Sequence, residues 1–344
     1  MPAYSANGTR IAAVAAVLGL AAGTACAQTP GPPVRLSLPL ACTPGQDCFV
    51  QRHLDVKPGP GIQDPLCGEA TGEDHTGVDF RISTLADVAR DVAVLAPADG
   101  VVLRRRDGMP DRVVENEDMA RAVTAQGCGN AVIIDHGGGL ETQYCHLRSG
   151  SVRVTPGQKV MRGETLAGVG YSGLASFAHL HFGVRRGGKN VDPFTGTESG
   201  APCRADPAAE PKAEPLFEQA VLEAFPYRSG EIFSAGFTGT PPKTTMEEAL
   251  PPVPMAASPA LLLFARVSNA RAGDRMSFKI KGPAGFEFAG TTEPQTRGRP
   301  VWAPFAGKRL TASRWPAGRY EGVVELIRDG RTVHRRDGIV VNIE

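Results

Sequence analysis

Short β-rich runs lie at residues 92–95, 100–104, 131–135, 141–146, 151–154, 165–170 and 180–184, and in several of them apolar and polar residues alternate with a period of two. β-Branched residues are frequent in these runs and Gly, Pro and Asp turns separate them, which predicts an antiparallel sheet after Thr76. The same pattern returns at residues 261–267, 275–280, 320–327 and 338–343. There Asp329-Gly330, set between apolar runs, is the strongest hairpin signal in the chain. Strands at this spacing predict a small C-terminal β-sandwich. Helical spacing is confined to residues 113–125, an acidic stretch read as one short helix or an ordered insertion, and to residues 216–227. The fold class is therefore all-β dominated.

Breaks in the pattern divide the chain. Residues 11–22 form an apolar run behind a single charge, Arg10, and small residues follow through Ala27. That predicts a secretory signal peptide at residues 1–27, cut after Ala27, because about a dozen apolar residues fall short of the roughly 20 needed to span a bilayer. Acylation of Cys26 as a lipoprotein ranks second, since Gly23 stands where a large aliphatic residue is wanted. Residues 28–66 are rich in Pro and Gly, with extended pieces at 34–40 and 48–56, and read as a strand-and-loop collar. A strand-rich domain is expected at residues 67–197. Residues 198–215, largely Pro, Ala and charge, read as a linker to an accessory β-domain at 216–344.

Charge removes one class of partner. Lys and Arg number 37 against 36 acidic residues, a net charge of +1, so neither nucleic acid nor an anionic membrane is favoured and stable membrane insertion is not expected. Nothing in the pattern sets an oligomeric state. Without Cys26 the cysteines are Cys42, Cys48, Cys67, Cys128, Cys145 and Cys203, an even set suited to an oxidising, periplasmic or extracellular compartment. Cys42 and Cys48 flank a short turn that can close locally, and Cys128 and Cys145 bracket a hairpin. The full connectivity stays open.

Candidate chemistry concentrates in the first half. Two tight patterns, His75-Thr-Gly-Val-Asp79 and His179-Leu-His181, lie in the strand-rich segment with His146 between them. On an extended strand His75, Gly77 and Asp79 share a face, as do His179 and His181, and glycine at 77 would leave room beside a metal. Two imidazoles and a carboxylate on adjacent strands make a zinc site with a fourth position open to water. A second histidine beside His181 would then be placed for acid/base work. His136, next to three glycines, reads as a solvated turn residue. The Gly168-x-Gly-x-x-Gly173 pattern precedes a strand rather than a helix, so it fails as a dinucleotide site. The aromatic residues Trp302, Trp315 and Tyr320 do not decide whether the accessory domain binds a ligand; Trp315 reads as core.

These motifs resemble the lysostaphin/LytM-type zinc endopeptidase family. The series is HTGVDF (75–80), VAVLAPADGVV (92–102), GNAVIIDHGGGLETQYCHL (129–147), VTPGQKVMRGETLAGVGYSG (154–173), AHLHFGV (178–184) and VDPF (191–194). The resemblance implies one zinc per chain held by His75, Asp79 and His181, with His146 and His179 as catalytic histidines. It also implies an antiparallel sheet with a groove and hydrolysis of peptide bonds in bacterial peptidoglycan, stem-peptide cross-links or glycine bridges. It does not divide the base and oxyanion roles between His146 and His179. Two readings compete: a non-hydrolytic relative that binds peptidoglycan or activates another hydrolase, and a biotinyl- or lipoyl-type carrier. The carrier reading needs a lysine at an exposed hairpin tip between its two halves, and here the His146 segment separates them. Where the family has Gly-Pro before H-L-H and Glu after H-L-H-F, this chain has Phe177-Ala178 and Gly183, and the loop at 104–126 is long and charged.

Overall fold

The alternating runs fold as antiparallel strands in a computed structural model that describes residues 1–3, 34–206, 213–242 and 244–344. The apolar run of the expected signal peptide, Cys26, the cut after Ala27 and residues 207–212 of the expected linker lie outside the described residues. The first half contributes β1 (Cys48–Arg52), β2 (Val78–Ile82), β3 (Ala93–Leu95), β4 (Gly100–Arg106), β5 (Asn130–Asp135), β6 (Leu140–Leu147), β7 (Lys159–Val160), β8 (Thr165–Gly168), β9 (His179–Arg186) and β10 (Lys189–Asn190). An eight-stranded sheet runs β1-β2-β9-β6-β5-β4-β7, with β10 on β9, and β3 pairs separately with β8. In β9, Leu180, Phe182 and Val184 are fully buried in the core, which leaves His179 and His181 for the other face.

Of the two readings of residues 113–125 the short helix holds, and other expectations are revised. The stretch at 113–125 becomes α1 (Glu117–Val123), capped by the Asn116 side chain on the Met119 amide. Residues 151–154 form no strand. The Ser151 hydroxyl donates to the Arg148 carbonyl and the Val152 amide to Asp107, so only the Arg153 amide reaches Leu166 across the gap. Residues 34–40 make isolated bridges at Leu36 and Leu40 rather than a ladder.

The helix expected at 216–227 is the shorter α2 (Gln219–Ala224) and packs with the first half. Leu216, Phe217, Val221 and Phe225 enter the core around Phe80 and Phe182, and the Leu36 amide donates to the Leu216 carbonyl while the Glu218 amide donates to the Leu36 carbonyl, which pins this segment beside the collar. The second core begins at Ile232 instead.

That second core lies between two antiparallel sheets. Its strands are β11 (Glu231–Thr238), β12 (Ala260–Ala270), β13 (Arg275–Lys281), β14 (Glu287–Thr291), β15 (Arg299–Trp302), β16 (Phe305–Arg309), β17 (Gly318–Arg328) and β18 (Arg331–Ile343). One sheet runs β11-β12-β15 with β16 on β12, the other β14-β13-β17-β18. Asp329 (φ 49°) and Gly330 (φ 75°) turn β17 into β18, both in the left-handed region that a tight two-residue hairpin turn demands. Trp302, Trp315 and Tyr320 are buried, so none of them offers an exposed stacking platform.

The two cores meet through ionic contacts, and Val34–Glu344 is one compact unit. Glu247 pairs with Arg81 at 2.6 Å and Arg266 at 3.0 Å, both guanidiniums fully buried. The Phe233 ring lies 4.0 Å from one guanidinium and 4.6 Å from the other.

Candidate metal centre

Strand pairing assembles the site. In the β2–β9 ladder Asp79 lies opposite His181 and Arg81 opposite His179. His75 precedes β2 in a turn closed by its amide on the Gly72 carbonyl, so it reaches Asp79 from a loop, not by strand alternation. His75 Nε2 and His181 Nδ1 each lie 2.9 Å from Asp79 Oδ1 and 3.1 Å from each other. Donors about 2.0–2.1 Å from a tetrahedral zinc stand roughly 3.3 Å apart, so these spacings fit such an ion.

The surroundings prepare each donor. His75 Nδ1–H donates to the His53 carbonyl at 2.7 Å, which turns the Nε2 lone pair inward. Burial opposes ionisation of Asp79, but the His75 and His179 charges and hydrogen bonds from His181 and His75 outweigh it and hold the carboxyl well below its usual range. Burial also lowers His181 despite Asp79, which favours the neutral imidazole a metal needs. The three residues can hold a metal ion.

Gly77 has a different reason from the expected one. A Cβ there would stand 2.5 Å from the Phe182 carbonyl oxygen of β9, so the glycine admits the neighbouring strand rather than the metal. Gly77→Ala is expected to cost about 1–3 kcal/mol and to weaken metal binding by parting the two strands. Thermal unfolding with and without added zinc measures both effects.

His146 and His179 stand together beside these residues, ring centroids 4.5 Å apart. His179 Nδ1–H donates to the Phe177 carbonyl at 2.9 Å and His146 Nδ1–H to the Ser172 carbonyl at 2.8 Å. Carbonyls accept only, so the proton is fixed on Nδ1 and each Nε2 keeps its lone pair. His146 has φ 60°, in the left-handed region, where a register shift in the β5–β6 pairing forms a bulge. Such a backbone costs about 1–3 kcal/mol and re-aims the side chain out of the strand's alternation. All five residues line one cleft of 340 Å³, with Arg52, Gln143 and Phe177 on its walls.

Burial sets the protonation of this pair. It pushes His146 well below its usual value, aided by the nearby His179 and His181, and His179 down to about 4. In the unfolded chain each titrates near about 6.5. A lowered histidine binds fewer protons folded than unfolded between these values, so its burial costs nothing above about 6.5 and costs progressively more as the pH falls. The metal-free protein should therefore lose roughly 2 kcal/mol through His179 alone between about pH 7 and about pH 5. Urea midpoints of the wild type and His179→Gln should diverge accordingly, the variant showing the shallower slope.

Residues 73–193 match the sequence model of Peptidase family M23. This segment is an M23 domain. The chain is 33% identical over 145 residues to an uncharacterized metalloprotease of Haemophilus influenzae, covering 41% of this chain and 25% of that protein. It is 32% identical over 122 residues to the DD-carboxypeptidase/endopeptidase Mpg of Neisseria meningitidis serogroup B, covering 35% and 22%. It is 32% identical over 94 residues to the murein hydrolase activator EnvC of Escherichia coli, covering 27% and 22%. The chain thus spans a quarter or less of the length of each relative.

Residues to which the sequence patterns assign no part in the site also support these histidines. The failed dinucleotide pattern supplies Ser172, whose carbonyl orients His146 and whose hydroxyl donates to the Leu147 carbonyl and accepts from the Asn130 amide. His136 is bonded at both ring nitrogens, to the Asp99 carbonyl and the Thr142 hydroxyl, so it braces a turn of the M23 domain and lies outside the cleft. Arg52 and His53 were not singled out by any sequence motif. Arg52 Nη1 stands 3.9 Å from Asp79 Oδ2, and the His53 ring meets Asp192 at 3.2 Å.

The disulfides are Cys42–Cys48, Cys67–Cys203 and Cys128–Cys145. The first and third are the local closures expected from spacing. Cys128–Cys145 ends beside His146, whose amide bonds the Cys128 carbonyl at 2.8 Å.

Proposed function

We propose that the M23 domain is a zinc endopeptidase that hydrolyses peptide bonds in bacterial peptidoglycan, in stem-peptide cross-links, outside the cytoplasm. The observation that carries this reading is one cleft in which three converging donors, His75, Asp79 and His181, adjoin two buried imidazoles with free Nε2 atoms. The likeness to a DD-carboxypeptidase/endopeptidase of Neisseria and a murein hydrolase activator of Escherichia supports peptidoglycan as the substrate class. Three disulfides and the segment at 1–27 support export, and among the described residues no helix is long and apolar enough to cross a membrane.

Zinc at the three donors supplies Lewis acidity toward water and the scissile carbonyl. His146 and His179 divide the proton work at Nε2. One takes the proton of the attacking water at its free Nε2; that proton then hydrogen-bonds the developing oxyanion or passes to the leaving amine, directly or through the other ring. Their Nδ1 bonds to backbone carbonyls hold both rings still through the exchange. Zinc analysis of the purified protein, with muropeptide analysis of peptidoglycan after incubation, tests the reading; bound zinc with no newly released amine would overturn it.

The activator relative favours a second reading, in which the cleft binds peptidoglycan or activates another hydrolase without cutting. That reading expects stimulation of a partner hydrolase by a protein that releases no amine itself.

A further inference from the structure

Phe177 stands where the resembled family has glycine, and its ring bridges the cleft to the second β-layer. It stacks on His179 with centroids 4.2 Å apart and planes 20° from parallel. The Arg81 guanidinium lies 5.0 Å from the same ring. Arg81 is fully buried and carries its charge against Glu247, 2.6 Å away, which follows β11 in the second half. Backbone bonds from Leu85 to the Glu247 carbonyl and from Ala86 to the Glu248 carbonyl fasten this segment to the turn after β2. Arg266 closes the arrangement from β12, bonding the Ser83 and Thr245 carbonyls as well as pairing with Glu247.

We propose that Glu247 is a positioning residue for hydrolysis: through Arg81 it holds Phe177 against His179 and thereby fixes that imidazole in the cleft. Two buried guanidiniums share this one carboxylate. Without its charge they repel each other in a low-dielectric setting, and Arg81 leaves the Phe177 ring. The stack then loosens and His179 gains freedom. The second β-layer thus contributes to turnover while supplying no group to the cleft, and this role rests on the hydrolase reading above.

Glu247→Gln keeps the shape and removes the charge. It should retain zinc and KM while turnover per bound zinc falls about tenfold or more, since catalysis is steep in the placement of a base. A merely structural role would lower the folded fraction and leave turnover per bound zinc unchanged. Independently of activity, the His179 Cε1 proton of the metal-free protein should show an upfield ring-current shift in NMR spectra that shrinks in Glu247→Gln. Phe177→Tyr should preserve turnover and Phe177→Leu lose it, a pair that decides the matter should Glu247→Gln not fold. Wild-type turnover per zinc together with an unchanged His179 shift in Glu247→Gln would overturn the proposal, as would full turnover in Phe177→Leu. If the wild type hydrolyses nothing, the hydrolase reading fails and the shift still reports whether Glu247 positions the ring.

Discussion

His181→Ala is expected to lose both bound zinc and hydrolysis, whereas His146→Ala and His179→Ala are expected to keep the metal and lose about 10²–10⁴-fold in turnover. The separation follows from where the side chains point. His181 Nδ1 shares Asp79 Oδ1 with His75 Nε2, so removing it leaves two donors of three. His179 Nε2 stands 3.6 Å from that oxygen, and the His146 ring centroid is 6.1 Å from that of His181. Neither is needed to close the donor triangle, and each has its lone pair free for a proton. Metal content by mass spectrometry and amine release from purified peptidoglycan read the two losses separately. Full activity in either His146→Ala or His179→Ala would remove that residue from the mechanism.

The double variant Cys67→Ser/Cys203→Ser is expected to lose about 3–5 kcal/mol of stability, the largest structural loss anticipated here. Its disulfide spans 136 residues, so the cross-link removes much of the unfolded chain's freedom. It also fastens a loop held by Asp64, which accepts amides from Leu66, Gly68 and Ala70 and the Tyr227 hydroxyl, shortly before His75. Cys42–Cys48 closes only 6 residues and its removal should cost less, about 2 kcal/mol. Equilibrium denaturation of the two serine pairs measures the difference. Equal losses would mean that native-state strain, not loop length, sets the values.

The grouping of the five candidate residues was legible because its signal is local. H-x-H on a strand and H-x-x-x-D before one keep their partners within a few residues, and period-two alternation foretold that β9 buries Leu180 and Phe182. What supports the site was not legible, because its contacts are distant in sequence. Ser172 reaches His146 across 26 residues through a backbone carbonyl to which the glycine pattern around it gives no role, and Glu247 reaches Arg81 across 166 from a segment outside every motif. Phe177 was visible as a departure from the resembled family, but its stack needs a fold to be seen. The boundary near residue 216 failed for the same reason: a Pro- and Ala-rich stretch marks a break in composition, while Phe217 and Phe225 beyond it are claimed by Phe80. Strands β14 to β16 are short and partly exposed, with glycine in two of them, and so carry little alternation.

The pairing of Asp79 with His181 across β2 and β9 would also make a metal bound at the proposed site a check on assembly. A slip of one residue between these strands turns one donor to the opposite face and leaves no chelate. Metal loading after refolding therefore counts the molecules whose central sheet has closed in the correct alignment, and a chelator present during refolding withdraws the reward that distinguishes that alignment from its neighbours.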